Sequence, residues 1–130
     1  MNLFLTNHEY KNLHRDNLTA YYKSTDPIVY AEYIKNKIDN CDEEIIIIDD
    51  LRNFLHLNFM KHNYKNTKII RINSTDESKL LREWVKTEYD NKQCENELDD
   101  YDKFDFVFDN DSTKEILEFL ILENIDDIIY

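Results

Sequence analysis

The amino-acid sequence predicts an α/β fold with a short, mostly parallel sheet flanked by helices. Three apolar segments of strand length, residues 44–48, 68–73 and 104–108, alternate with segments that have the apolar spacing of helices. Strands alternating with helices are typical of parallel sheets, because each parallel connection crosses a face of the sheet. The 130 residues have the length of one domain, and no linker rich in Pro, Gly or Ser divides them.

Two helices are predicted before the first strand. Residues 7–23 have apolar side chains at helical spacing, with Asn7 at the N-cap position. Asp26-Pro27 begins the second helix, because aspartate is a good N-cap and proline suits the first helical position. The apolar stripe expected on this second helix consists of Ile28, Tyr30, Ala31, Tyr33, Ile34 and Ile38.

The first strand is predicted from four consecutive isoleucines, residues 45–48, which we call the isoleucine run. A continuous β-branched run is typical of a parallel strand covered on both faces, so residues 44–48 are expected to be buried. Asp49, Asp50 and Arg52 follow directly and are expected at the rim of the sheet. A helix is predicted next, over residues 52–63, followed by the strand KIIRIN over residues 68–73.

The second half of the chain contributes two helices and one strand. A short helix is predicted over residues 78–84, and the strand FDFVF over residues 104–108. Between them, residues 86–103 are polar and acidic, which predicts a mobile, lid-like loop; we call them the acidic segment. An amphipathic helix over residues 113–130 ends the sequence, with Asp111 or Ser112 as its N-cap. The inner face expected for this helix is Ile116, Phe119, Leu120, Leu122, Ile125, Ile128 and Ile129.

Charge and composition exclude several classes of function. The formal net charge of −12 predicts repulsion from nucleic acids and anionic membranes, because phosphate contacts supply most nonspecific affinity for nucleic acids. No apolar run reaches the roughly 20 residues of a membrane span, and the N-terminal residues lack the pattern of a signal peptide. Cys41 and Cys94 do not have the spacing of metal ligands, so two reduced thiols in a cytoplasmic protein are expected.

A set of short motifs in collinear order resembles phosphomevalonate kinase of the animal type, a member of the nucleoside-monophosphate-kinase-like P-loop kinases. The motifs are Tyr10-Lys11 with Arg15, Asp26-Pro27 with Tyr33-Ile34, Asp50-Leu51-Arg52, Ile70-Arg71-Ile72, Arg82-x-Trp84, Leu98-Asp99 and residues 104–110. Phage-type deoxynucleoside monophosphate kinases share the Asp-x-Arg motif, so the resemblance extends to both subfamilies. It implies a truncated P-loop-kinase-like, three-layer fold over residues 1–130, without the N-terminal P-loop strand and helix.

The chain lacks the feature on which such kinases depend for phosphoryl transfer. They hold the donor phosphates in a glycine-rich loop that ends in Gly-Lys-Ser/Thr. This sequence contains no glycine, although average usage would give about nine. Phosphoryl transfer depends almost entirely on positioning and electrostatic stabilisation. We therefore expect no catalytic residue and no cofactor, and weak or absent nucleotide binding.

Four residues are predicted as vestiges of a phosphate or substrate site. The resemblance implies acceptor-phosphate roles for Arg15 and Arg82, and an acceptor-side or metal-side role for Asp50 and Arg52. A structural interpretation stands beside each role: an aspartate that follows a strand often caps the next helix, and a surface arginine commonly pairs with a carboxylate. The four histidines, His8, His14, His56 and His62, form no HExxH pattern, so no metal site is predicted.

Three functions stay open from the sequence. The first is a catalytically inactive kinase-like domain, reused as a structural protein or to bind a protein partner or a second copy through a sheet edge or an acidic face. The second is part of a nucleotide or phosphometabolite kinase that needs a separate P-loop-bearing segment. The third is an acidic nucleic-acid mimic that binds basic proteins. The missing phosphate loop favours the first. The bias toward Asn, Lys, Ile, Tyr and Asp fits an AT-rich genome, as in some large DNA viruses or parasites, and a large DNA virus is the expected source.

Overall fold

A computed structural model describes His14, Asn17, Ala20 and residues 28–49, 51–91 and 93–130, with only the main chain at residues 89, 93 and 94. The chain divides into two compact units, Met1–Asp42 and Glu43–Tyr130. The assignment of residues 1–130 to a single kinase-like domain stays a prediction.

Most of the described residues of the first unit are helical. His14, Asn17 and Ala20 are in helical conformation, as predicted for residues 7–23. The other residues of that predicted helix, and the Asp26-Pro27 start of the next one, lie outside the described residues. Helix α1 spans Val29–Asp39 and ends at Asn40, whose side-chain amide donates to the Asn36 carbonyl at 2.7 Å.

Only part of the apolar stripe predicted on α1 is covered. Ala31 is fully buried, and Ile34 and Ile38 are half-buried, at the i, i+3, i+7 spacing of one helix face. Tyr30 and Tyr33, which also belong to the stripe, are exposed. The covered face of the helix is therefore narrower than the apolar stripe.

The second unit contains a two-stranded parallel sheet. Strand β1 spans Ile70–Asn73 and strand β2 spans Phe106–Asp109, with Ile70 opposite Phe106 and Asn73 opposite Asp109. Both strands were predicted from the sequence, within two residues of these bounds. Asp105 extends the pairing, because its main-chain N–H donates to the Ile69 carbonyl at 2.8 Å and its carboxylate accepts the Ile69 N–H at 2.7 Å.

The predicted first strand is absent from the sheet. Residues 44–48 are described but belong to no strand, and the isoleucine run is exposed rather than buried, by 41% to 86%. A strand exists only where another strand bonds to it. Among the described residues, none forms a backbone hydrogen bond to the run. The α/β class is confirmed with one parallel strand pair, and the three-layer kinase-like fold stays a prediction.

Helix α2 spans Phe54–Asn63 and was predicted over residues 52–63. Its N-cap is Asn53, whose side-chain oxygen accepts the His56 N–H at 2.8 Å. Leu57 and Met60, three residues apart, are buried on its inner face. Asp50, which the sequence offered as a cap, lies outside the described residues.

Helix α3 spans Asp76–Leu81 and is capped by the Thr75 side chain, which accepts the Ser78 N–H at 3.2 Å. It begins and ends earlier than the predicted residues 78–84. Two hydrogen bonds follow its last turn. The Glu83 N–H donates to the Leu80 carbonyl and the Trp84 N–H donates to the Lys79 carbonyl, both at 3.0 Å. Glu83 has a φ of 63°, at the position where helices usually place glycine. A chain without glycine must therefore accept a left-handed glutamate here, at a cost of about 1–2 kcal/mol.

The acidic segment contains helical turns. A 3-10 helix spans Glu88–Asn91 and helix α4 spans Gln93–Asn96. Leu98 follows them and joins the hydrophobic core, where it packs with Leu57 and Ile69. The segment was predicted as a loop, and the sequence analysis did not foresee its helical turns or its buried leucine. Its function as a lid stays a prediction.

Leu51, Tyr101 and Phe104 surround the core formed by Leu57, Ile69 and Leu98. The Tyr101 ring meets the Phe104 ring edge-on at 4.9 Å between centroids, a favoured geometry for aromatic pairs. The core is therefore built from α2, the residue before β1 and the end of the acidic segment.

The last predicted helix is present as two. Helix α5 spans Lys114–Glu123 and lies against β2, and helix α6 spans Ile125–Ile129. The half-buried apolar residues are Leu117, Leu120, Ile121, Ile125 and Ile128. Four of the predicted inner-face residues are exposed instead: Ile116, Phe119, Leu122 and Ile129. The N-cap is Thr113, so capping by Asp111 or Ser112 is also wrong.

Of the helices in the described residues, none is long and apolar enough to span a membrane.

Candidate functional site

A shallow cleft lies at the carboxyl ends of β1 and β2. In open parallel sheets, ligands bind outside the carboxyl ends of the strands, so the cleft is a candidate site. The cleft has a volume of about 410 Å³. It is lined by Arg71, Ile72, Asn73, Ser74, Thr75, Lys79, Asp109 and Asp111. Side chains of both charge signs line the cleft, so its preference for a ligand depends on how these charges are paired within the protein.

Asp111 is bonded to the start of α3. One carboxylate oxygen accepts the Thr75 main-chain N–H at 2.7 Å, the Thr75 hydroxyl at 3.0 Å and the Ser74 hydroxyl at 3.3 Å. These bonds, the Thr75 N–H first, lower the pKa of Asp111. The positive end of the α3 dipole therefore already has an anion beside it, supplied by the chain itself.

Arg82 bonds to the main chain of the loop between β2 and α5. Its Nη2 donates to the Asn110 carbonyl at 2.7 Å and to the Ser112 carbonyl at 2.8 Å. The guanidinium thus connects the end of α3 to this loop. The sequence offered Arg82 as a vestigial phosphate ligand; in the structure it has a structural role and does not line the cleft.

Arg52 is paired with the acidic segment. Its Nη1 forms an ion pair with the Glu95 carboxylate. Two residues further along, the Glu97 carboxylate accepts the main-chain N–H of Phe54 at 2.9 Å, the first residue of α2. Two glutamates therefore hold this arginine and the N-terminus of the helix, where the dipole favours a negative charge.

Arg71, at the centre of the Ile70-Arg71-Ile72 motif, forms an ion pair with Asp99. Its Nη2 donates to the Asp99 carboxylate at 2.7 Å, and its Nε donates to the Asn73 side-chain oxygen at 3.1 Å. The guanidinium also lies 5.8 Å from the centre of the Phe104 ring. Arg71 is the arginine that lines the cleft, and one of its partners again belongs to the acidic segment.

The four predicted site residues are not brought together in the described structure. Arg15 and Asp50 lie outside the described residues, and Arg52 and Arg82 have separate partners and do not line the cleft. Sequence reasoning missed Ser74, Thr75 and the role of Asp111. The signal that could have found them is a pair of similar polar runs after two parallel strands, NST at residues 73–75 and NDST at residues 110–113.

No group of three or more His, Cys, Asp or Glu side chains that could hold a metal ion occurs in the part of the chain that the structure describes.

Asp111→Asn is expected to destabilise the protein at neutral pH and to have less effect as the pH falls. Because the pKa of Asp111 is lowered from its usual 3.8 on folding, its carboxylate stabilises the folded state above that pH. The contribution is lost as the pH falls through the folded-state value. Urea unfolding of Asp111→Asn and of the unaltered chain between about pH 7 and about pH 3 measures the difference in their unfolding free energies. This difference should become smaller as the pH falls.

Asp100→Asn is the matched control, since Asp100 is exposed and forms no side-chain hydrogen bond with the described residues. The unfolding free energy of Asp100→Asn should differ little from that of the unaltered chain over the whole pH range. A difference for Asp111→Asn that stays constant down to about pH 3 would mean that the hydrogen-bonded carboxylate does not contribute as assigned.

No protein-family model matches the chain, and the search of curated proteins gives no match to it.

Proposed function

We propose that this protein is a catalytically inactive, kinase-like domain that binds a protein partner through the isoleucine run. The observation that carries the proposal is the exposure of four consecutive isoleucines, by 41% to 86%. Contiguous apolar surface on a folded chain marks an interaction site more often than a chance arrangement. Its transfer out of water favours association by about 25 cal/mol per Å².

The internal partners of three arginines support the proposal that the domain does not transfer phosphate from a nucleotide. Arg52 is occupied by Glu95, Arg71 by Asp99, and Arg82 by two main-chain carbonyls. A phosphate would have to displace these partners before it could bind. Together with the missing glycine-rich loop, this leaves the donor phosphates without a cradle.

The proposal also gives the protein a viral origin. The support is the bias of the sequence toward Asn, Lys and Ile.

The cleft of about 410 Å³ at the strand ends favours the second candidate function, part of a nucleotide or phosphometabolite kinase. Titration of the purified chain with ATP, ADP and deoxynucleoside monophosphates, with and without magnesium, separates the two by calorimetry. We expect dissociation constants above about 1 mM. Micromolar ATP binding would overturn the proposal of an inactive domain and favour the kinase.

Partner binding is expected to depend on Ile47, which is 86% exposed. Ile47→Asn removes apolar surface and β propensity without a change in charge. The unaltered chain and Ile47→Asn serve as baits in cells that naturally express the protein, and captured proteins are quantified by mass spectrometry. A specific partner should fall by about tenfold or more with Ile47→Asn.

Leu81→Asn is the matched control, because Leu81 is 87% exposed and lies on a different segment, at the end of α3. It should retain the partner. If every captured protein is retained equally by Ile47→Asn and Leu81→Asn, the isoleucine run is not the binding surface.

A further inference from the structure

The isoleucine run has both side chains and main chain available for a partner. Within the described residues, its backbone N–H and C=O groups have no hydrogen-bond partner in the protein. Four β-branched residues have a high propensity for strands, so this segment lacks only a second strand. An extended peptide can supply one, pairing with the backbone while its side chains cover apolar surface.

Acidic residues stand on both sides of the run. Asp42, Glu43 and Glu44 precede it and Asp49 follows it, and all four are exposed. The sequence has no Lys or Arg between Lys37 and Arg52, and Arg52 is paired with Glu95. Among the described residues, none forms an ion pair with these four carboxylates, so the run is an apolar surface with negative charge at each end.

From these observations we infer that the partner contributes an extended apolar segment with Lys or Arg on both sides of it. This inference rests on the proposed function and names the chemistry of its partner. At physiological salt the Debye length is about 8 Å, and a strand rises about 3.3 Å per residue. The partner's basic residues must therefore lie directly beside its apolar residues, because cations further along the chain would be screened.

A second copy of this chain does not fit the same surface. Pairing two isoleucine runs in either direction would place acidic flanks of one copy beside acidic flanks of the other, and like charges on adjacent strands are destabilising. The net charge of −12 adds repulsion between copies. Raising the salt concentration distinguishes binding of a basic segment from pairing of two copies. It should weaken binding to a basic segment and strengthen self-association.

The test uses the full chain and three labelled peptides, with binding followed by fluorescence anisotropy. The first peptide has four valines flanked by two lysines on each side, the second has glutamates in place of the lysines, and the third has the residues of the first in an order that interleaves lysine with valine. We expect the first to bind at least about tenfold more tightly than the other two. Its affinity should fall when salt is raised from about 50 mM to about 300 mM.

Two variants and their controls assign the binding to this surface. Ile47→Asn should weaken binding of the lysine-flanked peptide, whereas Leu81→Asn should not. Glu43→Gln combined with Glu44→Gln should weaken it and reduce its salt dependence. The control for charge is Glu118→Gln with Glu123→Gln, on exposed positions of α5, which should leave it unchanged.

Equal binding of the three peptides, no binding of any of them, or tighter binding at high salt would overturn the inference. Its failure is distinguishable from failure of the proposed function. If a partner captured from cells depends on Ile47 while the lysine-flanked peptide does not bind, the basic flanks are wrong and the binding surface stands. If neither depends on Ile47, both are wrong.

Discussion

Leu57→Ala is expected to lower the free energy of unfolding by about 2–5 kcal/mol. Leu57 is the largest fully buried side chain in the described residues, 1% exposed, and it packs against Ile69 and Leu98. Its truncation loses the transfer free energy of the removed methyl groups and leaves a cavity. Since small domains are stable by only about 5–15 kcal/mol, the variant should unfold at a much lower urea concentration.

Urea unfolding followed by circular dichroism measures this change from the transition midpoint, provided that its slope is unaltered. Leu81→Ala is the matched control, with the same substitution at a leucine that is 87% exposed. It should change the unfolding free energy by no more than about 0.5 kcal/mol. Equal effects of the two variants would show that Leu57 does not lie in a core with Ile69 and Leu98.

The strands β1 and β2 were predictable, but the arrangement around the isoleucine run was not. KIIRIN and FDFVF are short apolar segments bounded by polar residues, a local pattern that is sufficient to predict strands. The run at residues 45–48 has a stronger strand propensity than either. Its state depends on whether another strand bonds to it, and the sequence of the run carries no information about that partner.

The candidate site shows the same limit. Asp111 stands just before a helix, so the sequence favours an N-cap. Its actual partners, Ser74 and Thr75, lie 37 and 36 residues away in the chain, and no local pattern points to them. The sequence favoured a carboxylate partner for a surface arginine, which Arg52 has and Arg82 does not. The identities of those partners, Glu95 and two main-chain carbonyls, depend on the fold.

Leu98 is the clearest case of a core residue hidden by its surroundings. It stands among acidic residues, and the segment was therefore predicted as a mobile loop. The signal that could have marked it is the spacing from Leu98 to Tyr101 and Phe104, three residues at each step, which suits residues packed on one side of a turn-rich segment. All three belong to the core or pack against it.

Leu98→Ala distinguishes a docked acidic segment from a lid that opens freely. Leu98 is 7% exposed and packs against Leu57 and Ile69. If the segment stays docked in the folded protein, the truncation should cost about 2–4 kcal/mol of unfolding free energy. If the segment detaches easily, the folded state gains little from the leucine and the cost should be below about 0.5 kcal/mol. Leu122→Ala, at an exposed leucine of α5, is the control.

Two further measurements distinguish a docked acidic segment from an open lid without relying only on the cost of Leu98→Ala. The double variant Leu57→Ala with Leu98→Ala should cost less than the sum of the single variants, because both substitutions empty the same region of the core. The main-chain N–H groups of Asp99 and Tyr101, which donate to the Asn96 and Leu98 carbonyls at 3.0 Å and 3.2 Å, report on local opening by hydrogen exchange. In a docked segment they should exchange about as slowly as N–H groups in β2. Fast exchange of the Asp99 and Tyr101 N–H groups, together with additive costs of Leu57→Ala and Leu98→Ala, would favour the lid interpretation. Only a segment that leaves the core on its own loses protection from exchange while the sheet stays folded.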